Sequence, residues 1–463
     1  MPGIRTTQME REPPSGISVL TVGAGIGGLT FAIEAYRKGH DVRIIERSPE
    51  GQYSGEMIMI TAPALQTPKK WPTFMDRAGE AGYSPVIELR KYDGTLIDVH
   101  SPGDATGDTP TLNIYRRKLH HLLFTYAKEL NIPITFNTPV LEYFETPDVG
   151  GVILENGEKL TADVVVAADG VGSKSRAVTD GNKDAPISSG FILYRISFPV
   201  SEALKNPIIA KEFEGYQDRG FIYIGPGAHL PISKGGDDLC WLLTCKDEDS
   251  SSIESWSKAT TTDRALEIVK DWDPLVTEVI KATPNNRVLD WKLMWRDPQP
   301  QWTSKIGRVV QLGDAAHPFL PTSFSGGTMA MEDAYSLAAC LHIAGKKDVP
   351  LATKVHNKLR FERVSCAQKL GYKNREVFHN TDWKTQKEDS KPIEKMVGDW
   401  LTYHNPEEYT YKNYEKCAEH LRTGAPFENT NLPPGYKYKP WTVRELLDAS
   451  ERGEELHDEG DWS

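Results

Sequence analysis

Cysteine is scarce in this chain, and an apolar run long enough to cross a bilayer is missing. The five cysteines among 463 residues (Cys240, Cys245, Cys340, Cys366, Cys417) are an odd number without a CxxC pair or metal-ligand spacing. That argues against a disulfide framework and a thiolate metal centre, and predicts buried thiols in a reducing compartment. No stretch approaches the roughly 18 apolar residues of a membrane span. The polar, Pro-containing start also lacks the apolar centre of a signal peptide. These absences predict a soluble, intracellular, cytoplasmic protein. Positive charge is short as well: 54 basic against 65 acidic residues leave a formal net charge of −11. Nucleic acid and anionic membrane are poor main partners for such a balance. No P-loop, Ser-His-Asp order or metal-spaced histidine cluster occurs, and no metal site is expected.

What is present reads as an ordinary soluble globular protein, 39% hydrophobic and 26% charged. Its length exceeds one core, so two or three packed domains are expected. The β-branched run Ile17 to Val22 ends at Gly23. Leu29, Ala32, Ile33 and Tyr36 then recur at helical spacing, and Val42 to Glu46 forms the next strand. This is a β-α-β unit. A helix is expected over 116–130, strands over 132–136, 140–144 and 152–154, and a buried parallel strand over 163–167. Residues 187–245 alternate in the manner of an antiparallel sheet, 253–282 read as helical, and 308–312 return as a buried strand. A long helix follows from about 327, with more helix over 352–378. The fold class is therefore α/β: a Rossmann-like domain with a mixed parallel sheet, an antiparallel-sheet domain and a helical C-terminal region. Expected boundaries are a tail at 1–16, the first domain at 17–185 and 303–345, the second at 186–302 with part of 50–110 on its side, helices over 346–432, and an acidic, partly disordered tail over 433–463.

Three signatures carry chemistry. Gly23-Ala24-Gly25-Ile26-Gly27-Gly28 joins strand to helix as Gly-x-Gly-x-x-Gly. Gly23 permits the turn, Gly25 lets backbone N–H groups reach a pyrophosphate, and Gly28 allows close packing. The anion would rest on the helix N-terminus, and Glu46 ends the second strand as an acceptor for ribose hydroxyls. The second signature is Ala168-Asp169-Gly170; the third is Gly313-Asp314-Ala315-Ala316-His317-Pro318. Either aspartate alone could be a turn residue or a helix cap. Only one glycine-rich dinucleotide motif is present.

Together and in this order, the three signatures resemble the aromatic-hydroxylase family of FAD-dependent monooxygenases, in its fungal secondary-metabolism form. Tyr194-Arg195 and Met331-Glu332-Asp333 strengthen the likeness. The resemblance implies non-covalent FAD held by Gly23, Gly25, Gly28, Glu46, Arg47, Met57, Arg116, Asp169, Asp314, Gly326 and Gly327. Asp314 would meet the ribityl chain, and Arg116, rather than Arg117, would contact the cofactor; a solvated basic helix end is the plainer alternative. The family implies NADH or NADPH as a transient reductant, O2, a flavin C4a-hydroperoxide, and a hydrophobic small-molecule substrate that is hydroxylated or epoxidised at an aromatic, indole or alkene carbon. Arg195, alone in an apolar strand, is the candidate catalytic residue; an ion pair tying two domains is its alternative. Tyr223 reads as core and His317 as structural. Phe324 departs from the family by replacing a glycine beside the flavin, and 54–58 is bulkier than in relatives. A halogenase would carry Trp-x-Trp-x-Ile-Pro, which is absent. A flavin oxidase or dehydrogenase, or a non-catalytic FAD-binding protein, stays open.

Overall fold

The computed structural model describes residues 9–51, 55–100, 111–179, 186–247, 258–380, 397–454 and 458–462. The β-branched N-terminal run forms β1 (Ser18–Val22), followed by helix α1 (Ile26–Arg37) and β2 (Asp41–Ile45). These strands belong to a five-stranded parallel sheet completed by β7 (Ile134–Thr135), β11 (Val164–Ala167) and β18 (Val309–Gln311), in the order β18-β11-β1-β2-β7. Its central strands are apolar on both faces because helices cover one and the small sheet β8-β9-β10 covers the other; every residue of β11 is buried.

Register decides what this sheet can do. Val22 pairs with Ala167, and Ala167 with Gln311, so β1, β11 and β18 end side by side. Each runs directly into one signature: Gly23, Ala168-Asp169 and Gly313-Asp314. Parallel strands present their carboxyl ends to one edge, where α/β proteins bind ligands. Segments far apart in sequence thereby meet.

The second large sheet has eight strands in the order β16-β17-β12-β15-β14-β13-β4-β5. They are β4 (Val86–Lys91), β5 (Leu96–His100), β12 (Ile187–Pro199), β13 (Arg219–Gly225), β14 (Ala228–Gly235), β15 (Asp238–Lys246), β16 (Lys258–Thr261) and β17 (Arg287–Trp295). The pairing is antiparallel except at one junction, where β13 runs parallel to β4. That junction exists because β4 and β5 come from 50–110, while the rest of the sheet comes from the middle of the chain. One face packs Phe221, Tyr223 and Trp241 against the helices Asp263–Ile268 and Pro274–Lys281. Tyr223 belongs to that core, its hydroxyl donating to Asp273 at 3.1 Å. The helical expectation over 253–282 is partly corrected: 258–261 is the edge strand β16, and 253–257 lie outside the described residues. Two smaller sheets complete the fold, β8 (Val140–Glu145) with β9 (Gly150–Leu154) and β10 (Lys159–Ala162), and β3 (Met57–Ile60) with β6 (Leu112–Tyr115).

Five further helices matter below: α2 (Arg116–Glu129), α3 (Gly326–Ala344), α4 (Val349–Asn380), α5 (Pro406–Thr423) and α6 (Val443–Glu451). Residues 328–341 of α3 are all buried, because α1, α4 and α5 pack around that helix. Part of the acidic tail is packed against the rest of the protein. Trp441, Val443 and Leu446 are buried with Leu193, Trp295 and Tyr372, at the β12–β17 end of the second sheet and on the face opposite the one that packs Phe221 and Trp241. A capping box between Thr442 and Glu445 starts α6. All five cysteines are buried. No helix among the described residues is long and apolar enough to cross a membrane.

Candidate active site

Each glycine of the first signature has a distinct physical task. Gly23 has φ +103°, and a Cβ there would stand 2.4 Å from the Ala168 carbonyl oxygen. A Cβ on Gly28 would meet the Gly23 carbonyl at 2.1 Å, so α1 lies on the strand as closely as backbone allows. Gly25 is different: a Cβ there meets nothing within 4 Å. Its position lines a cavity, and the first turn of α1 has neither a side-chain cap nor an acidic residue. Uncapped N–H groups and the positive end of the helix dipole thus face open space, which suits an anion. Glu46 fixes the loop, accepting from the Ala24 and Ser48 N–H groups, each at 2.8 Å. On the other side His120 Nε2 lies 2.6 Å from the Ala24 carbonyl oxygen.

The two aspartates flank this loop in contrasting states. Asp169 accepts from the Tyr143 hydroxyl at 2.7 Å. Burial raises its pKa above the ordinary carboxylate value, while hydrogen bonds from Ser173 and Tyr143 oppose the shift. Asp314 also lines the cavity but makes no hydrogen bond among the described residues. Its pKa is raised by burial, against the lowering pull of Arg116 and His317. The Arg116 guanidinium likewise lines the cavity and makes no hydrogen bond or salt bridge among the described residues. Arg117 instead pairs with Asp238 and lies over the Tyr115 ring. Arg116 thus lines the cavity, whereas Arg117 ties α2 to the second sheet.

A buried charge network holds the Gly313-Asp314 turn. Asp333 accepts the Gly313 N–H at 3.2 Å and lies 2.5 Å from His317 Nε2. Arg360 of α4 bridges Asp333, at 2.9 Å, and Glu332, which also receives Arg363. Despite full burial, the cations pull Glu332 down to about 2 and Asp333 well below the usual carboxylate range.

One cavity of about 650 Å3 joins these elements to the inner face of the second sheet. Glu46, Arg47, Met57, Gly326 and Gly327 line it too; Gly28 does not, being committed to packing. Arg195 reaches the cavity from β12 and donates to Glu56 Oε2 at 2.6 Å, with its guanidinium 5.2 Å from the Trp291 ring centroid. Glu56 immediately precedes β3, so the pair spans the two sheets and both residues also border the cavity. His229, on β14, faces the same space, and burial lowers its pKa to about 4, leaving a neutral imidazole at pH 7. Phe324 is held at φ 53°, the left-handed conformation that suits the glycine it replaces. A bulky residue there carries a strain of roughly 1–3 kcal/mol.

Glu56, His229 and Trp291 were missed as individual residues by sequence reading. For Glu56 a signal existed: it is a lone carboxylate before the apolar run Met57 to Ile60, matching the lone Arg195 in another apolar strand. Nothing local marks His229 or Trp291, whose position depends on pleat and register.

A glycine-turn parallel sheet, two strand-end carboxylates and a second sheet over one shared cavity define a flavoprotein of the hydroxylase type. The chain belongs to the FAD-dependent monooxygenases, in the form found in fungal secondary metabolism, and the family described as FAD binding domain matches residues 16–348. It is 38% identical to the FAD-dependent monooxygenase fsr3 of Gibberella fujikuroi, over 98% of this chain and 91% of that protein. It is 36% identical to FAD-dependent monooxygenase dmxR9 of a Cryptosporiopsis species, with the same coverage. Among solved structures, CtdE in complex with FAD and a substrate superposes with a TM-score of 0.81 at 31% identity, covering 88% of this chain and 100% of that one. A salicylate hydroxylase complex shares the fold, with a TM-score of 0.66 at 21% identity over 80% of this chain and 91% of that one.

Proposed function

We propose that this monooxygenase uses NADH or NADPH and O2 to place one oxygen atom on an electron-rich carbon of a flat, largely apolar aromatic, indole or alkene natural product. The carrying observation is the single cavity that joins Asp314 and the Gly25 turn to Arg195, Trp291 and the apolar face of the second sheet. The residues present fit FAD. The uncapped α1 turn and Arg116 would take the pyrophosphate, and Glu46 a ribose hydroxyl. Asp314, a carboxylate without a protein donor, would accept from the ribityl hydroxyls, which are donors in need of such an acceptor. Bound and reduced, FAD supplies the oxygen-activating chemistry that no side chain can.

The protein's own part is to orient and to exclude water. Arg195 offers charge-assisted hydrogen bonds, roughly twice as strong as neutral ones, toward a polar substituent of the substrate. Glu56 balances that charge and fixes the guanidinium in a part of the cavity where an unpaired cation would be costly. Neutral His229 supplies a second polar contact on the same sheet face. Much of the remaining surface there, including Leu193, Leu242, Ile222 and Pro231, is apolar and favours a ring system.

Purified holoenzyme and labelled O2 test the reading. Candidate arenes should accelerate NAD(P)H consumption, with one labelled oxygen atom in each product molecule. Product formed without NAD(P)H, with one H2O2 per turnover, would establish an oxidase instead.

A further inference from the structure

The loop beside the cavity keeps a glycine-type backbone but carries an aromatic ring, and its neighbours explain how. Thr322 donates its hydroxyl to the Gly371 carbonyl at 2.7 Å, and Asn374 donates to the Thr322 carbonyl at 3.1 Å. Gln368 donates to the Pro318 carbonyl at 2.9 Å. On the far side, the Ser325 hydroxyl donates to the Ser323 carbonyl at 2.8 Å. At Gly371 the α4 backbone leaves no room for a side chain, since a Cβ would stand 2.8 Å from Ser323 Cβ. Residues on both sides of Phe324 are thus held by contacts that do not involve its ring. The left-handed backbone is over-determined, and the ring direction is fixed with it.

That direction is toward the second sheet. Phe324 packs with Leu89 of β4 and Ile222 and Ile224 of β13, and it also lines the cavity. Trp291, on β17, lines the same cavity four strand positions away from β13. At about 4.8 Å per strand the two backbones lie roughly 19 Å apart. Two rings therefore bound a floor formed by β12, β15 and β14, in which Leu193, Leu242 and Pro231 surround the polar Arg195 and His229.

The geometry points to Phe324 as a specificity-determining residue: its ring is the end wall of the substrate chamber and limits the length of flat ligand that fits between β13 and Trp291. This rests on the monooxygenase substrate reading above and adds the residue that sets the size limit. The wall acts on binding, so it is separable from turnover.

Two variants delete the ring while keeping the backbone, because glycine adopts this conformation freely and asparagine tolerates it. They are Phe324→Gly and Phe324→Asn. Oxidised holoenzyme is titrated with 2-naphthol and with the longer 6-phenyl-2-naphthol, each Kd being read from the perturbed flavin absorbance. Removing the wall should raise the affinity of the long probe relative to the short one by about tenfold in both variants. A relative affinity that stays within threefold of wild type in both variants overturns the wall. So does a folded variant that no longer retains FAD, which would make the ring a support of the cofactor. Wild-type holoenzyme that binds neither probe overturns the substrate reading together with the wall, whereas binding with an unchanged ratio overturns the wall alone.

Discussion

Asp314 shows most sharply how a functional side chain differs from a structural one. Its carboxylate borders the cavity, makes no hydrogen bond among the described residues, and is held above its ordinary pKa by burial. A group whose folded pKa is raised costs stability at neutral pH, where it must ionise in the fold. Asp314→Asn should therefore leave the FAD-free protein as stable as wild type or slightly more so. The same change should weaken FAD by about 10–100-fold, the worth of one lost hydrogen bond to a charged acceptor at 1.5–3 kcal/mol. Flavin fluorescence titration and thermal melting of both forms check the two halves; an unchanged FAD affinity sinks the assignment. This residue was legible in sequence because strand, glycine and acid are contiguous there. Glu56 was legible only as an oddity, because its meaning depends on Arg195, 139 positions away. Pairing across two sheets leaves no trace in local spacing.

At the scale of elements, the Gly313-Asp314 turn is positioned by side chains of α3 and α4 that do not line the cavity. Arg360 on α4 neutralises Glu332 and Asp333 on α3, and Asp333 holds the Gly313 N–H. Each ion is fully buried, so removing one partner strands the others. Arg360→Met should cost about 3–5 kcal/mol, the usual penalty for breaking a buried pair. Chemical denaturation followed by tryptophan fluorescence measures this, and a loss below about 1 kcal/mol contradicts the network's role. A Lys70→Met change should cost far less, because Lys70 is half-exposed and Arg37 and Lys38 also pair with its partner Glu407. The strands and helices of the first domain were readable because they repeat at the pleat and helix periods. Within the tail, composition gave no hint of the packed segment: acidic residues surround Trp441, Val443 and Leu446, yet the Thr442–Glu445 capping box was there to be seen.

Across the whole molecule, buried imidazoles set an acid limit. Burial lowers His40 and His229 to about 4 and His356 to about 3, all from an ordinary value of 6.5. Between pH 6.5 and about 4 the unfolded chain binds these protons and the fold does not. Stability is thus complete above pH 6.5 and drains away as pH falls toward 4. The depressed carboxylates Glu332 and Glu407 act later, their contribution disappearing as pH drops from about 4.5 toward 2. Raised Glu34, Asp169 and Asp314 pull the other way, since protonation relieves their burial. The histidines act from the top of this range, so the thermal midpoint should begin to fall near pH 6.5, before the depressed carboxylates titrate. His40 is the cleanest probe, because it sits behind α1 against Ser15 and the Ala338 carbonyl, away from the cavity. His40→Gln should lower the midpoint at pH 7.5, through imperfect packing, but flatten its decline between pH 6.5 and 4.5. A midpoint in wild type that stays level down to pH 4.5 means these imidazoles take up protons without unfolding, and the acid limit then belongs to the carboxylates.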